Sequence, residues 1–461
     1  MRIAAAAVLA LAWAGPQALP REPGPEAPAP RPLSHEQLLT EVQRRAFRFF
    51  WERTDPRTGL ADDRASNFSA RNNYTVASIA STGYALASLP IAVERGWIGR
   101  TTARDRALLT LRFLNRRFPH KRGWCYHFVD RRTGQRVWKS EISSVDTSLM
   151  VLGALMAGQY WRGTQVERLA NALYDRMDWT WMRTNGGQKP GKLLVSHGWR
   201  PEEGFLKNDW GRYCELMLIY LLGMGAAKDP LPAESWTAWE RDVVEYRGRT
   251  TLAGGPIFMH QMAHGFFDFR GRRDILGWDY WVASREAVLI NRQFALDRAG
   301  TRKTYGPAVW GLNAGDGPDG YRAYGGPGEE DGTVSPTGAI ASILFTPDLA
   351  RQAAWEMHRR FGGRIWGRYG FSNGFNLDRN WHGPDVIGID LGMALLAIED
   401  ARTGLPWRLM RSHPFHARAF RKAGFRVTRE PQPRPLRIAP PAAGQPRAAH
   451  SSSTRTAGRA A

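Results

Sequence analysis

Acidic residues recur where apolar segments begin. Asp146 opens one such segment with Glu141 just before it, Glu215 lies in another, and Asp390 starts a third. Hydrolysis of a glycosidic bond needs two carboxyl groups, one protonated and one ionised, on either side of the bond. An Asp in the first turn of a helix also stabilises that helix through the free N–H groups and the dipole. Taken singly, Asp146 and Asp390 therefore fit that structural role. Glu215 is different, because Asn208 or Asp209 supplies the cap and Glu215 falls beyond the first turn, beside Leu216-Met217-Leu218-Ile219-Tyr220-Leu221-Leu222. An unpaired carboxyl there is desolvated, its pKa rises, and it stays protonated near neutrality, as a general acid must. The competing reading is a buried ion pair with Arg212, and the sequence leaves both open.

Other residue types add to the pattern or fall away. His260 and His264, in His-Gln-Met-Ala-His, have the spacing of helical metal ligands, but Gln261 replaces the glutamate of a zinc protease. They read as a hydrogen-bonded pair, structural or substrate-contacting. Gly315-Asp316-Gly317 and Gly325-Gly326-Pro327-Gly328 mark tight loops and not a dinucleotide fingerprint, since no strand precedes them. No metal and no cofactor are expected. Aromatic residues suited to stacking on sugar rings lie near helix starts or in loops, among them Trp138, Trp210, Trp310, Tyr321 and Trp381.

These side chains need helices to hold them. Ser34 and Gln37 form a capping box ahead of Leu38, Leu39, Val42, Ala46, Phe49 and Phe50 at helical spacing. Segments with one charged face (this helix, 102–117, 165–182, 234–247, 348–361, 413–422) alternate with segments apolar nearly all round (74–90, 144–161, 210–224, 281–296, 335–345, 388–400). A helix apolar on every face is buried on every face. Six buried helices ringed by six amphipathic ones predict an all-α fold, an (α/α)6 double barrel, with the starts of the inner helices gathered at one mouth. No repeat of fixed period supports a solenoid.

The 461-residue chain divides by composition. Arg2, the apolar run 3–14 and Gly15-Pro16 predict a signal peptide over 1–15 and export to the periplasm or exterior. Residues 16–33 read as a Pro-rich linker, 34–428 as one domain, and 429–461 as a disordered basic tail. No later stretch reaches about 18 uninterrupted apolar residues, which argues against membrane insertion. The net charge of +21 comes mostly from scattered Arg, and no nucleic-acid motif accompanies it. The 19 Trp residues are the unusual feature of the composition. Cys125 and Cys214 could pair or remain free thiols.

Five segments resemble the bacterial glucoamylase-like (glycoamylase) domain family, which includes endo-β-1,2-glucanases. They are Glu141-Ile-Ser-Ser-Val-Asp146-Thr; Tyr213-Cys-Glu215 running into Tyr220-Leu-Leu-Gly; and His260-Gln-Met-Ala-His264 with Phe267-Asp268-Phe-Arg270-Gly. The others are Trp310-Gly-Leu-Asn-Ala-Gly-Asp316-Gly-Pro-Asp319-Gly-Tyr321 and Gly388-Ile-Asp390-Leu-Gly. The resemblance implies an (α/α)6 barrel hydrolysing β-1,2-glucan with inversion. It implies Glu215 as the acid, and Asp390 and Asp146 in base or substrate-contacting roles. It further marks Glu141, His260, His264, Arg270, Trp310, Asp316, Asp319 and Tyr321 as candidate substrate contacts, and Trp381 joins them as an aromatic residue suited to stacking, the partner being a polysaccharide or oligosaccharide. Two rivals remain at this level. A polysaccharide lyase would rely on Tyr, His or Arg and release an unsaturated product; a non-catalytic glycan-binding protein would release none.

Overall fold

A computed structural model describes residues 33–69, 71 and 74–428. The leader (1–15), all but the last residue of the linker (16–33) and the tail (429–461) lie outside the described residues. Thirteen α-helices are found among the described residues: α1 His35–Glu52, α2 Ile79–Glu94, α3 Arg100–Arg116, α4 Ser144–Tyr160, α5 Gln165–Asp175, α6 Trp179–Met182, α7 Met217–Gly225, α8 Tyr280–Leu296, α9 Pro336–Ala341, α10 Pro347–Ile365, α11 Gly388–Arg402, α12 Leu405–Ser412 and α13 Pro414–Lys422. Among the described residues, strands occur as short two-stranded pairs and one three-stranded sheet of Ile142–Ser143, Gly198–Arg200 and Gly204–Phe205.

The two helix classes separate by burial. In α2, α4, α7 and α11 nearly every residue is buried, whereas α1, α3, α5, α10 and α13 bury one face. The buried set is in sequential contact: α9 on α11, α11 on α2, α2 on α4, α4 on α7. The amphipathic set packs around it, α1 against α2 and α11, α3 against α2, α5 against α4, α10 against α9 and α13 against α7. The capping box of α1 forms as its residues require, with the Gln37 N–H donating to Ser34 Oγ and the Ser34 N–H to Gln37 Oε1.

The α2–α4 contact is set by two glycines. A Cβ built on Gly153 would lie 1.9 Å from the Gly83 carbonyl oxygen, so the helices touch backbone to backbone. Gly153→Ala must push them apart. We expect it to lower unfolding stability by about 2–3 kcal/mol in urea titration; an unchanged midpoint would show that the helices slide freely.

Several expected segments differ. Residues 234–247 do not form an outer helix. They give the 3-10 turn Ala233–Trp236 and one arm of a hairpin, Val243–Tyr246 paired with Arg249–Leu252. The β-branched run and the Arg247-Gly248 turn, both residues at positive φ, explain this, and α13 covers α7 in its place. The segment 165–182 breaks into α5 and α6. Helix α8 is not buried all round: Val282 is exposed, and Glu286 pairs with Arg249. Residues 210–216 are irregular, so α7 begins only at Met217 and Glu215 precedes it. The two cysteines are free.

Candidate active site

The starts of α2, α4 and α11 converge with the segment ahead of α7 on a cavity of about 400 Å³. Its walls carry Asp63, Arg64, His127, Asp146, Glu215 and Asp390 among apolar groups that include Phe128, Leu149, Phe258, Met262 and Met393. Each acid is placed by its backbone. The capping hydroxyl of Ser143 accepts from the Asp146 N–H, which puts Asp146 in the first turn of α4. Asp390 stands in the first turn of α11. Strand Asp385–Ile387, paired with Arg64–Ser66, brings Asp63 and Arg64 beside that turn.

Glu215 is the least compensated of these groups. Arg212, the partner that could have neutralised it, points outward and pairs with Glu240 and Asp242. Glu215 Oε2 has no hydrogen-bond partner among the described residues. Burial, reinforced by the nearby Asp146 charge against weaker opposing hydrogen bonds, pushes its carboxyl up to about 7. Its neighbours are held from behind. The Tyr213 hydroxyl lies 3.1 Å from His260 Nδ1, and Ser284 Oγ links His260 to His264 at 3.4 and 3.0 Å. Burial lowers both histidines to about 3, so they are neutral at ordinary pH. They pack behind the site and do not line the cavity.

Asp390 is also pushed up to about 7, chiefly by burial and against a hydrogen bond from Asn373. Asn373 Nδ2 donates to Asp390 Oδ2 at 2.6 Å, and Asn313 Nδ2 lies 3.4 Å from Oδ1. The same Asn373 accepts the Asp316 N–H at 2.7 Å. Asp316 in turn receives Arg64 at 3.2 Å, and Arg64 also reaches Asp63 at 3.4 Å. The hairpin formed by Ala314–Gly317 and Gly320–Ala323 carries Tyr321 over the cavity. The Tyr321 side chain is 60% exposed, but desolvation of its hydroxyl over the cavity and the surrounding carboxylates of Asp390, Asp316, Asp63 and Glu215 raise it above its usual value.

A third cluster centres on His127. Its Nδ1 lies 3.0 Å from Glu141 Oε1 and its Nε2 lies 3.4 Å from Asp146 Oδ1. Burial alone would lower the imidazole, but Asp146, Glu141 and Asp63 outweigh it and raise its pKa. Among the described residues this trio brings its ligating atoms within 4.8 Å of one another. The geometry, with the imidazole between two carboxylates, fits a hydrogen-bonded cluster that fixes both of them.

The cavity thus gathers Glu215, Asp390, Asp146 and Tyr321, with Glu141 and Asp316 one contact away. It does not gather the rest. Arg270 pairs with Asp268 and lies over Trp407, Trp310 is fully buried, Asp319 pairs on the surface with Arg379, and Trp381 packs against Gly383. Sequence reasoning passed over His127, Asp63 and Arg64. Asp62-Asp63-Arg64 follows no helical period, and a histidine inside the aromatic run 124–128 reads as core. The only signal was a charged pair, Asp63-Arg64, in a stretch without helical spacing.

Known proteins share this architecture. Residues 207–414 match the Glycoamylase family, described as "Putative glucoamylase". The crystal structure of a protein of that same description from Bacteroides uniformis is 30% identical, over 86% of this chain and 99% of that one, with a TM-score of 0.79. The endo-β-1,2-glucanase of Chitinophaga pinensis, solved with sophorotriose and glucose, is 27% identical over 86% of this chain and 99% of its own, again with a TM-score of 0.79. The exo β-1,2-glucooligosaccharide sophorohydrolase of Parabacteroides distasonis is 29% identical over 83% of this chain, which spans 57% of that protein's length. The chain belongs to the Glycoamylase family.

Proposed function

We propose that this protein is an exported, endo-acting glycoside hydrolase of β-1,2-glucan, built as a closed (α/α)6 toroid and working with inversion. The observation that carries the reading is Glu215, a carboxyl lining the cavity with no cationic partner among the described residues and held up to about 7. Such a group is protonated at and below neutrality and can deliver its proton to a departing glycosidic oxygen. Asp390, gripped by two asparagine amides, is oriented to take a proton from water as that water attacks the anomeric carbon. The bond to the leaving sugar breaks as the bond to water oxygen forms. Glu215 loses one proton and Asp390 gains one, and solvent exchange resets both. Asp146 and Glu141, fixed by His127, remain to receive substrate hydroxyls. The linkage follows the relatives that act on β-1,2-glucans, and export follows the apolar leader of residues 1–15.

Incubation with linear and cyclic β-glucans tests this. We expect oligosaccharides from β-1,2-glucan alone, first appearing as the α-anomer in proton NMR. Unsaturated products would indicate a lyase, binding without products a glycan-binding protein, and an initial β-anomer a retaining mechanism.

A further inference from the structure

One aromatic side chain at the edge of the site is held at a cost that folding does not explain. Trp138 is 68% exposed, the most open Trp among the described residues that present large apolar surface. It sits with Lys139 in a turn where both non-glycine residues have positive φ, 53° and 49°. Such conformations are costly for a bulky side chain and persist only when surrounding contacts enforce them. The enforcement is visible. Arg136 donates to the carbonyls of Ser140 and Lys139 at 2.6 and 2.7 Å, closing the turn from within. The same guanidinium forms a two-pronged pair with Glu202 at 2.6 and 2.9 Å and lies over the Tyr126 ring, tying the turn to the neighbouring loop.

The turn is continuous with the cavity. The Trp138 ring meets Phe128 edge-on at 5.2 Å, Phe128 lines the cavity, and it stacks on His127, which bridges Glu141 and Asp146. Polar groups flank the path: Arg200, partly exposed, lies 3.9 Å from Glu141 and 3.5 Å from Glu203. A flat, rigid aromatic face beside hydrogen-bonding groups is the surface a pyranose ring recognises, with apolar C–H faces against the indole and hydroxyls to the rim.

We propose that Trp138 forms a distal sugar-binding subsite, holding a glucosyl unit of the chain that extends out of the cavity past Phe128. This rests on the glucan-hydrolase reading above and assigns that site a recognition element for long chains. Trp138 touches substrate remote from the scissile bond, so its contribution appears only once the chain is long enough to reach it.

The test uses Trp138→Gly and Trp138→Phe in the full chain, with β-1,2-gluco-oligosaccharides of increasing length and the polymer. Glycine suits the positive φ, so this variant should melt no lower than wild type, which separates loss of the subsite from loss of structure. For the shortest cleaved oligosaccharide, kcat and KM should match wild type. Beyond a threshold length, KM should rise about ten-fold with kcat unchanged, and Trp138→Phe should recover part of it. Equal kcat/KM at every length would overturn the proposal, and so would a uniform fall in kcat, which would mark Trp138 as support for the His127 cluster. Failure of wild type itself to cleave or bind any of these glucans would instead overturn the hydrolase reading, and the subsite with it.

Discussion

Glu215→Gln is expected to lower kcat on β-1,2-glucan by about 10²–10⁴-fold and, at the same time, to stabilise the protein above neutral pH. The two effects share one cause. The carboxyl lines the cavity without a basic partner among the described residues, and desolvation raises it from 4.5 to about 7. In the folded state it holds its proton between those values, where the unfolded chain has released it. The group's contribution to stability is therefore full below about pH 4.5 and falls as pH rises through about 7. A neutral amide carries no such penalty. At pH 8 the variant should be more stable than wild type by up to about 3 kcal/mol, and at pH 4 nearly equal to it. Urea unfolding at the two pH values measures this. Undiminished turnover would remove Glu215 from the reaction, and equal stability at pH 8 would show that the carboxylate is compensated in solution.

Asp390→Asn is expected to cost a similar factor in kcat, about 10²–10⁴-fold, but with a different signature. If Glu215 serves the leaving group and Asp390 the water, a glycosyl fluoride, whose departure needs no proton, should restore much of the turnover of Glu215→Gln. It should restore none of that of Asp390→Asn. The reverse pattern would exchange the two roles. Wild-type kcat/KM should decline on both sides of about pH 7, the acidic limb following protonation of Asp390 and the basic limb ionisation of Glu215. The amide change carries a local cost too: Asn373 Nδ2 donates to Asp390 Oδ2, and an amide at 390 must turn its oxygen to keep that bond.

Much of the scaffold was legible in the chain because helix patterning is a local signal. The all-round apolar stretches of α4 and α11 could be nothing but interior, and the capping box of α1 is written in two residues three apart. The segment 243–252 was misread as part of an outer helix, because the surrounding alternation of helix types outweighed its β-branched residues and Arg247-Gly248 turn, which favour a hairpin.

The sequence by itself determined that the chain is mostly helical, that α2, α4, α7 and α11 are interior, and that Asp146 and Asp390 stand in first turns. Only the tertiary structure decided what those acids are. Arg212, three residues from Glu215 in the chain, turns to Glu240 and Asp242, and that single choice leaves Glu215 uncompensated. His127, Asp63 and Arg64 come from segments distant in sequence and without periodicity, and reach the cavity through strand pairing. A carboxyl's protonation depends on which charges and apolar groups lie within a few ångströms. Chain spacing fixes those neighbours along one helix, but across the mouth of the cavity packing alone sets them.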